Sequence, residues 1–270
     1  MKILISGGNG NIGSYLTTSL SNEHKVYSFS KADFDVTDKV KIYDTICKID
    51  PDIILHTAAI TDVDYCESNE SLAYLTNTLG TLNIASMCYK FNIPIVYIST
   101  SYVYGDYKSS PYIETDICDP INIYGKTKLE GENLIRTLLN NFFIIRTSWV
   151  IDANKCSILK MLDNPSPIIL CSLEKTNVTS IKDLSYFINT IIKTDNYGIY
   201  NLSSEDYSSK YDIVTHLLKN KRFDKNILKL PEKLLVNTAK RPSFSAINST
   251  KAKDTFSIPL RRLDDIILEL

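Results

Sequence analysis

Metal-binding patterns are missing from this chain. Only three of its 270 residues are histidine, and none stands near a cysteine at a spacing that holds a metal ion. The six cysteines, Cys47, Cys66, Cys88, Cys118, Cys156 and Cys171, contain no Cys-x-x-Cys pair. No metal is expected, and the thiols should be reduced. An excess of positive charge is missing too: 30 basic against 31 acidic side chains leave a net charge of -1. That balance gives no electrostatic hold on nucleic acid or on an anionic membrane. The short basic runs, Lys219, Lys221 and Arg222, then Arg261-Arg262, fit solvated helix faces. No apolar run approaches the ~18 residues that span a bilayer, and there is no internal repeat. Ser6-Gly7-Gly8 cuts off the apolar start Met1 to Ile5, too early for a signal peptide. A cytoplasmic chain is expected, with one large domain and a smaller lobe.

What is present is an alternation of strand and helix patterns. Lys2 to Ser6 is a short apolar run, followed by Gly7-Gly8-Asn9-Gly10-Asn11-Ile12-Gly13 and the apolar-periodic Tyr15, Leu16 and Leu20. This is strand, glycine turn and helix. The spacing Gly7-x-x-Gly10-x-x-Gly13 suits a dinucleotide: Gly7 permits the bend, Gly10 lets backbone approach a pyrophosphate, and Gly13 lets helix pack on sheet. Asn11 and Ile12 open the helix beside that site. A second strand runs from Lys25 to Ser30, and the residues after it meet an adenosine ribose in such folds. Here Ser30-Lys31 offers a hydroxyl and a positive charge to a 2′-phosphate, which favours NADPH, with NADH as the lesser option and nearby Asp33 acting against the preference. Asp35 and Val36 are placed toward the adenine. Thr37 or Asp38 reads as the cap of a helix from Lys39 to Ile49.

Ile53 to His56 reads as a buried strand, and the small residues Thr57, Ala58 and Ala59 after it allow close approach of a cofactor. His56 fits a packed residue better than a catalyst. Asp62 to Glu67 leads into a long helical region through Lys90 that carries Asn77 and Gly80. Ile95 to Ser99 is the next strand and ends at Thr100-Ser101. A loop from about Gly105 to Pro120 follows. It delivers the chain to a helix bearing Tyr124-Gly125-Lys126-Thr127-Lys128. A phenol titrates near ~10 and is a poor acid at neutral pH unless its anion is stabilised. Lys128, one turn on, stands on the same helix face as Tyr124, with Cβ atoms about 5–6 Å apart, and is suited to do so. Phe142 to Arg146 is a further strand. The alternation predicts a doubly wound parallel α/β sheet of Rossmann type, with its site at the carboxyl ends of the strands. The expected division is a nucleotide-binding domain over 1–150, with 178–200 returning to it, and a smaller lobe formed mainly by 151–177 and 201–270.

With Gly7, Gly10 and Gly13, Ser99-Thr100, Tyr124-x-x-x-Lys128, Arg146-Thr147-Ser148-Trp149 and Arg241-Pro242 in this order, the chain resembles the extended short-chain dehydrogenase/reductase family. Within it the likeness is to the dTDP-4-dehydrorhamnose reductases, through Phe34 to Asp38, Thr61 to Glu67, Tyr124 to Glu132 and Arg241 to Ser245. The resemblance implies NADPH-dependent reduction of the C4 keto group of a nucleotide-linked 4-keto-6-deoxyhexose. It makes Tyr124 the general acid, Lys128 its partner and ribose ligand, and Thr100 the hydroxyl on the substrate carbonyl. It also places Asn77, Ser99, Tyr124 and Lys128 at the cofactor, and Val63, Thr100, Ser101, Trp149 and Arg241 at a nucleotide-sugar substrate. Trp149 equally suits a core position. A homodimer is compatible with the family.

Two departures bear on the substrate. Ser101 stands where the family usually has an acid, and Val150-Ile151-Asp152 with Asn154-Lys155-Cys156 replaces its usual residues after Trp149. Two other readings follow from the same superfamily. One is an NADP-binding regulatory subunit resembling the β subunit of methionine adenosyltransferase. The other is a nucleotide-sugar epimerase, since Tyr102 to Gly105 is similar to some of these; a dehydratase would have Asp-Glu after the catalytic Thr.

Overall fold

The computed structural model describes residues 1–152, 168–171, 174–221, 227–230 and 239–269. The Asn154-Lys155-Cys156 departure and Arg222 lie outside them. Five strands alternate with helices over residues 1–147: β1 (Lys2–Ser6), β2 (Lys25–Phe29), β3 (Ile53–His56), β4 (Ile95–Thr100) and β5 (Phe142–Thr147). A sixth strand, Gly198–Leu202, joins them in one parallel sheet. From one edge the order is β2, β1, β3, β4, β5 and Gly198–Leu202. The chain therefore moves one way from β1 to β2 and then returns to β1's other side as β3. Such a reversal leaves a crevice at the carboxyl ends of β1 and β3, where ligands bind in these sheets.

Burial explains why the strands read as unbroken apolar runs. All four residues of β3 and all six of β4 are buried, as expected where helices cover both faces. Ile3, Ile5, Leu55, Val96 and Ile145 face one apolar core, while Leu4, Ile54, Ile95 and Ile144 face the other. The first core is completed by the helix Ile181–Ile191, whose Leu184, Phe187, Ile188 and Ile191 are all fully buried. Each such side chain contributes about 1.5–3 kcal/mol, against about 1 kcal/mol for the Ser180 cap at its N-terminus. Packing, more than capping, holds this helix on the sheet. Ala252 and Ile258, far along the chain, sit in the same core.

The helices begin where short polar side chains satisfy their first N–H groups. Asp38, and not Thr37, caps α2 (Lys39–Ile49), accepting from Val40 and Lys41; Asp62 caps α3 (Val63–Ser68). The long helical region expected through Lys90 is divided. After α3 the chain breaks at Asn69, resumes as α4 (Glu70–Ala73), widens into a π-helical turn over Tyr74–Leu79, and continues as α5 (Gly80–Phe91). The π turn carries Asn77. Its amide oxygen accepts from the Ile60 N–H at 2.8 Å, and its nitrogen donates to Ile60 O and Thr127 Oγ1. A widened turn is a frequent mark of a functional segment, and here it locks the loop after β3 to α6 (Ile123–Leu138).

At the first turn Gly7 has φ +74°, and a Cβ there would lie 2.7 Å from Ala58 Cα. Only glycine adopts that backbone freely. A Cβ at Gly13 would meet the Gly7 carbonyl oxygen at 2.3 Å, so α1 (Asn11–Leu20) rests directly on the turn. Gly13→Ala is expected to destabilise the protein by about 1–3 kcal/mol through overpacking, read from the urea midpoint; an unchanged midpoint would show that the turn yields freely.

The second half also builds a smaller apolar cluster. Ile151, Val178, Ile213, Val214, Leu217, Leu263, Ile266 and Ile267 are buried together, with Trp149 packed against them. The short strand Trp149–Ile151 pairs in parallel with Val178–Ser180. The loop after β4 packs on the chain's last third: Tyr112 stacks on Tyr104 with ring centroids 4.7 Å apart and bridges to Ile247.

Candidate active site

Tyr124 and Lys128 stand on α6, whose start is set by Asn122. The Asn122 side chain accepts from the Gly125 N–H at 2.8 Å and donates to Lys240 O at 3.0 Å, tying the helix to the segment that carries Arg241. Glu67 adds a carboxylate at the same end, accepting from the Ile123 N–H, where the helix dipole favours negative charge. Tyr124 is only partly exposed and its ring meets Tyr102 edge-on, with centroids 6.3 Å apart. Burial pushes its phenol above the ordinary range, and the Thr100 hydroxyl beside it acts in the opposite direction.

Lys128 follows Tyr124 by one turn of α6. Its ammonium lies over the face of the Tyr97 ring, 3.9 Å from the centroid, on β4. The quadrupole of the ring attracts a cation there. Burial lowers the Lys128 pKa to about 7, opposed by the Glu132 carboxylate. The Thr100 hydroxyl bonds the Tyr124 phenol directly. Thr100 is buried, and its oxygen accepts from the Tyr102 N–H at 3.2 Å. Ser101 follows, also buried, opening the short helical turn Ser101–Val103.

The residues expected at the nucleotide gather around the glycine turn after β1. Gly10 precedes α1 and no side chain caps that helix, and an uncapped helix start is suited to a pyrophosphate. Asn11 Oδ1 is buried with no partner, a polar atom left for a ligand. Ile12 packs against the first core. Ser30 follows β2 with its hydroxyl on the Asp33 carboxylate at 2.6 Å, while Lys31 is exposed. Asp35 is half-buried. Burial opposes its charge, but the Thr37 N–H and hydroxyl hold its carboxyl below the usual range. Val36 is buried against Gly80. Thr57 donates to Ser6 O at 2.6 Å, Ala58 lies on Gly7, and Ala59 is partly exposed. These residues fit a dinucleotide lying from β2 to β4.

Two residues expected at the cofactor have side chains turned inward. Asn77 is fully buried and occupied by Ile60 and Thr127. Ser99 is 2% exposed, and its hydroxyl donates to Glu132. A position on a strand or helix does not by itself say which face the side chain takes.

His56 is a packed residue. Its Nδ1 pairs with Ser6 Oγ at 2.8 Å and Nε2 with Thr81 Oγ1 at 3.0 Å. Burial, helped by the Lys128 charge, lowers its pKa to about 3, against ~6.5 in an unfolded chain. As pH falls from about 6.5 toward 3, the unfolded chain takes up a proton that the folded one refuses, so stability declines through that window. His56→Gln should flatten the acid side of a urea-midpoint profile; an identical slope would assign the loss to other groups.

Of the residues expected at the substrate, Arg241 forks onto Asp64, with Nη1 and Nη2 at 2.6 and 2.8 Å from its two oxygens. Val63 opens α3 beside it. Trp149 is half-buried on the smaller cluster. A further polar group has no counterpart in the motifs: the Lys210 ammonium donates to Tyr102 Oη at 3.2 Å and to Glu174 at 2.7 Å. Nothing local in the sequence pairs 102, 174 and 210. Among the described residues no cluster could hold a metal ion, and no helix is long and apolar enough to cross a membrane. Four free cysteines are described: Cys47, Cys66, Cys88 and Cys118.

The sequence profile of the RmlD substrate binding domain fits residues 1–269. The chain belongs to this family. It is 30% identical to a dTDP-4-dehydrorhamnose reductase of Aggregatibacter actinomycetemcomitans over 95% of the chain and 94% of that protein. Its fold matches the crystal structure of dTDP-4-dehydrorhamnose reductase from Bacillus anthracis str. Ames in complex with NADP, with a TM-score of 0.94, 28% identity, and coverage of 99% of this chain and 97% of that one. A Thermus thermophilus UDP-glucose 4-epimerase in complex with NAD has a TM-score of 0.87 at 16% identity, covering 99% of this chain and 97% of that one; at that identity the likeness is one of fold.

Proposed function

We propose that this RmlD-family chain is an NADPH-dependent reductase of the C4 keto group of dTDP-4-dehydro-L-rhamnose or a close relative. The observation that carries it is the Thr100 hydroxyl at the end of β4 bonded to the Tyr124 phenol, with Lys128 one turn along α6. The reduced nicotinamide, when bound, supplies hydride to the C4 carbon. Gly10 and the uncapped start of α1 receive its pyrophosphate, and Asn11 offers an unpartnered oxygen. The protein's residues manage the proton. Thr100 holds the carbonyl oxygen, Tyr124 gives it a proton as negative charge develops, and Lys128 binds the nicotinamide ribose and favours the phenolate left behind.

Lys31 supports NADPH over NADH by offering charge to a 2′-phosphate, while Asp33, holding Ser30, moderates the preference. Val63, Ser101 and Trp149 border the sugar, and Arg241 reaches the nucleotide side. The domain at 1–150 with 178–200 carries cofactor and proton donor, and 151–177 with 201–270 forms most of the substrate lobe. A cytoplasmic location accords with this chemistry.

The test is NADPH oxidation, followed by absorbance, with dTDP-4-dehydro-L-rhamnose and its UDP counterpart, repeated with NADH. Turnover with the dTDP substrate is expected, faster with NADPH. Tightly held oxidised NAD in the purified protein would point instead to an epimerase. NADPH binding without turnover, together with association with methionine adenosyltransferase, would point to a regulatory subunit.

A further inference from the structure

Beneath the proposed proton donor lies a buried charge network that the reaction scheme leaves unused. Glu132 follows Lys128 by one turn of α6 and is fully buried. Its Oε1 accepts from Arg146 Nε at 3.0 Å and from the Ser99 hydroxyl; its Oε2 accepts from Arg146 Nη2 at 2.6 Å. Arg146, on β5, is itself 2% exposed and donates through Nη1 to Tyr104 Oη at 2.8 Å. Tyr104 in turn bonds Asn201 of the sixth strand. The carboxylate is thus fixed from β4 and β5, with no freedom to follow the helix.

Burying two charges is costly, and a well-packed apolar pair in their place is often neutral or stabilising. Fold stability alone therefore gives a weak reason for an ion pair here. Its position gives a stronger one. Among the described residues no hydrogen-bond acceptor meets the Lys128 ammonium, which rests on the Tyr97 ring. The groups that act on it are the Tyr97 ring from β4, His56 from β3 and Glu132 on its own helix, with Arg146 from β5 behind Glu132 and Tyr124 one turn earlier on α6. The π turn meets α6 through uncharged Asn77 and Thr78, which bond Thr127, and Thr81 of α5 bonds Asn77 O.

We infer that Glu132, clamped by Arg146 and Ser99, is a positioning residue that keeps Lys128 charged beside Tyr124. Its negative charge offsets the desolvation of the ammonium, and the clamp prevents the carboxylate from swinging over to pair with Lys128 and withdraw it from the crevice. Since this rests on the reading of Tyr124 and Lys128 above, Tyr124→Phe is run in parallel.

The experiment is the pH profile of kcat/KM for NADPH-dependent reduction, in wild type, Glu132→Gln and the double variant E132Q/R146M, which leaves no unpaired buried charge if the single variant folds poorly. A charged lysine is lost as pH rises through its pKa, so activity has a limb on the basic side. Without Glu132 that limb should move to lower pH by about one to three units. Activity above the limb falls about tenfold per unit, with wild-type rates largely recovered at more acidic pH. The KM for NADPH should rise with the same pH dependence. An Nζ resonance titration of Lys128, readable in inactive protein, should show the same downward shift. A purely structural role would lower kcat equally at every pH; an unmoved limb and an unmoved Lys128 titration in both variants would overturn the inference. Full activity of Tyr124→Phe would overturn the underlying reading while leaving the Lys128 titration to judge Glu132 separately.

Discussion

Replacing Tyr124 by phenylalanine lowers kcat for the reduction by about 10²–10⁴-fold, the range of a positioned general acid, with NADPH binding little changed. The substitution removes one oxygen and keeps the ring, whose edge-on contact with Tyr102 holds the helix start in place. Burial keeps the phenol protonated in the resting protein, so a proton is available throughout the neutral range. The difficulty lies in giving it up, and that is where Thr100 and Lys128 act. Thr100→Val should therefore lose activity in the same direction, by less, because water can replace one hydrogen bond to a carbonyl but not the acid itself. The measurement is single-turnover NADPH oxidation, which separates chemistry from product release. A Tyr124→Phe rate within threefold or so of wild type would exclude Tyr124 as the acid.

Replacing Arg146 by methionine is the most destabilising single change expected. It leaves the Glu132 carboxylate fully buried with Ser99 as its remaining partner, and breaking a buried pair from one side costs about 3–5 kcal/mol. The double variant E132Q/R146M should recover most of the stability, since neither charge is then stranded. Urea denaturation of the four proteins as a double-mutant cycle checks this. Additive losses would mean that the ion pair contributes no coupling and that each side chain acts through packing alone.

Arg146 also shows how far the motifs reach. It appears in the sequence as the end of an apolar run before Thr147-Ser148-Trp149, and Glu132 as the end of the phrase that begins at Tyr124. Neither context says that the two meet. They do so because β4 and β5 pair in register from Ile95 with Phe142 to Thr100 with Thr147, while α6 crosses over them. The clamp thus depends on three separate elements. Lys210 with Tyr102 and Glu174 is a second case, assembled from residues 36 and 108 positions apart. Ser99 and Asn77 illustrate the reverse, with places near the crevice legible in the chain but side chains that packing turned inward.

The alternation of apolar runs and amphipathic segments, the glycines at 7, 10 and 13, and the Tyr124 to Lys128 spacing determined the parallel sheet, its helix-covered faces and the location of the crevice. These follow from local rules: strand and helix periods, the backbone freedom of glycine, and the handful of connections a parallel sheet permits. Only the tertiary structure decided where charge resides within that frame. It set Lys128 over Tyr97, fixed Glu132 between Arg146 and Ser99, paired Arg241 with Asp64 and left His56 neutral. Charge interactions depend on distance and on the exclusion of water, and both are properties of elements brought together from far apart in the chain.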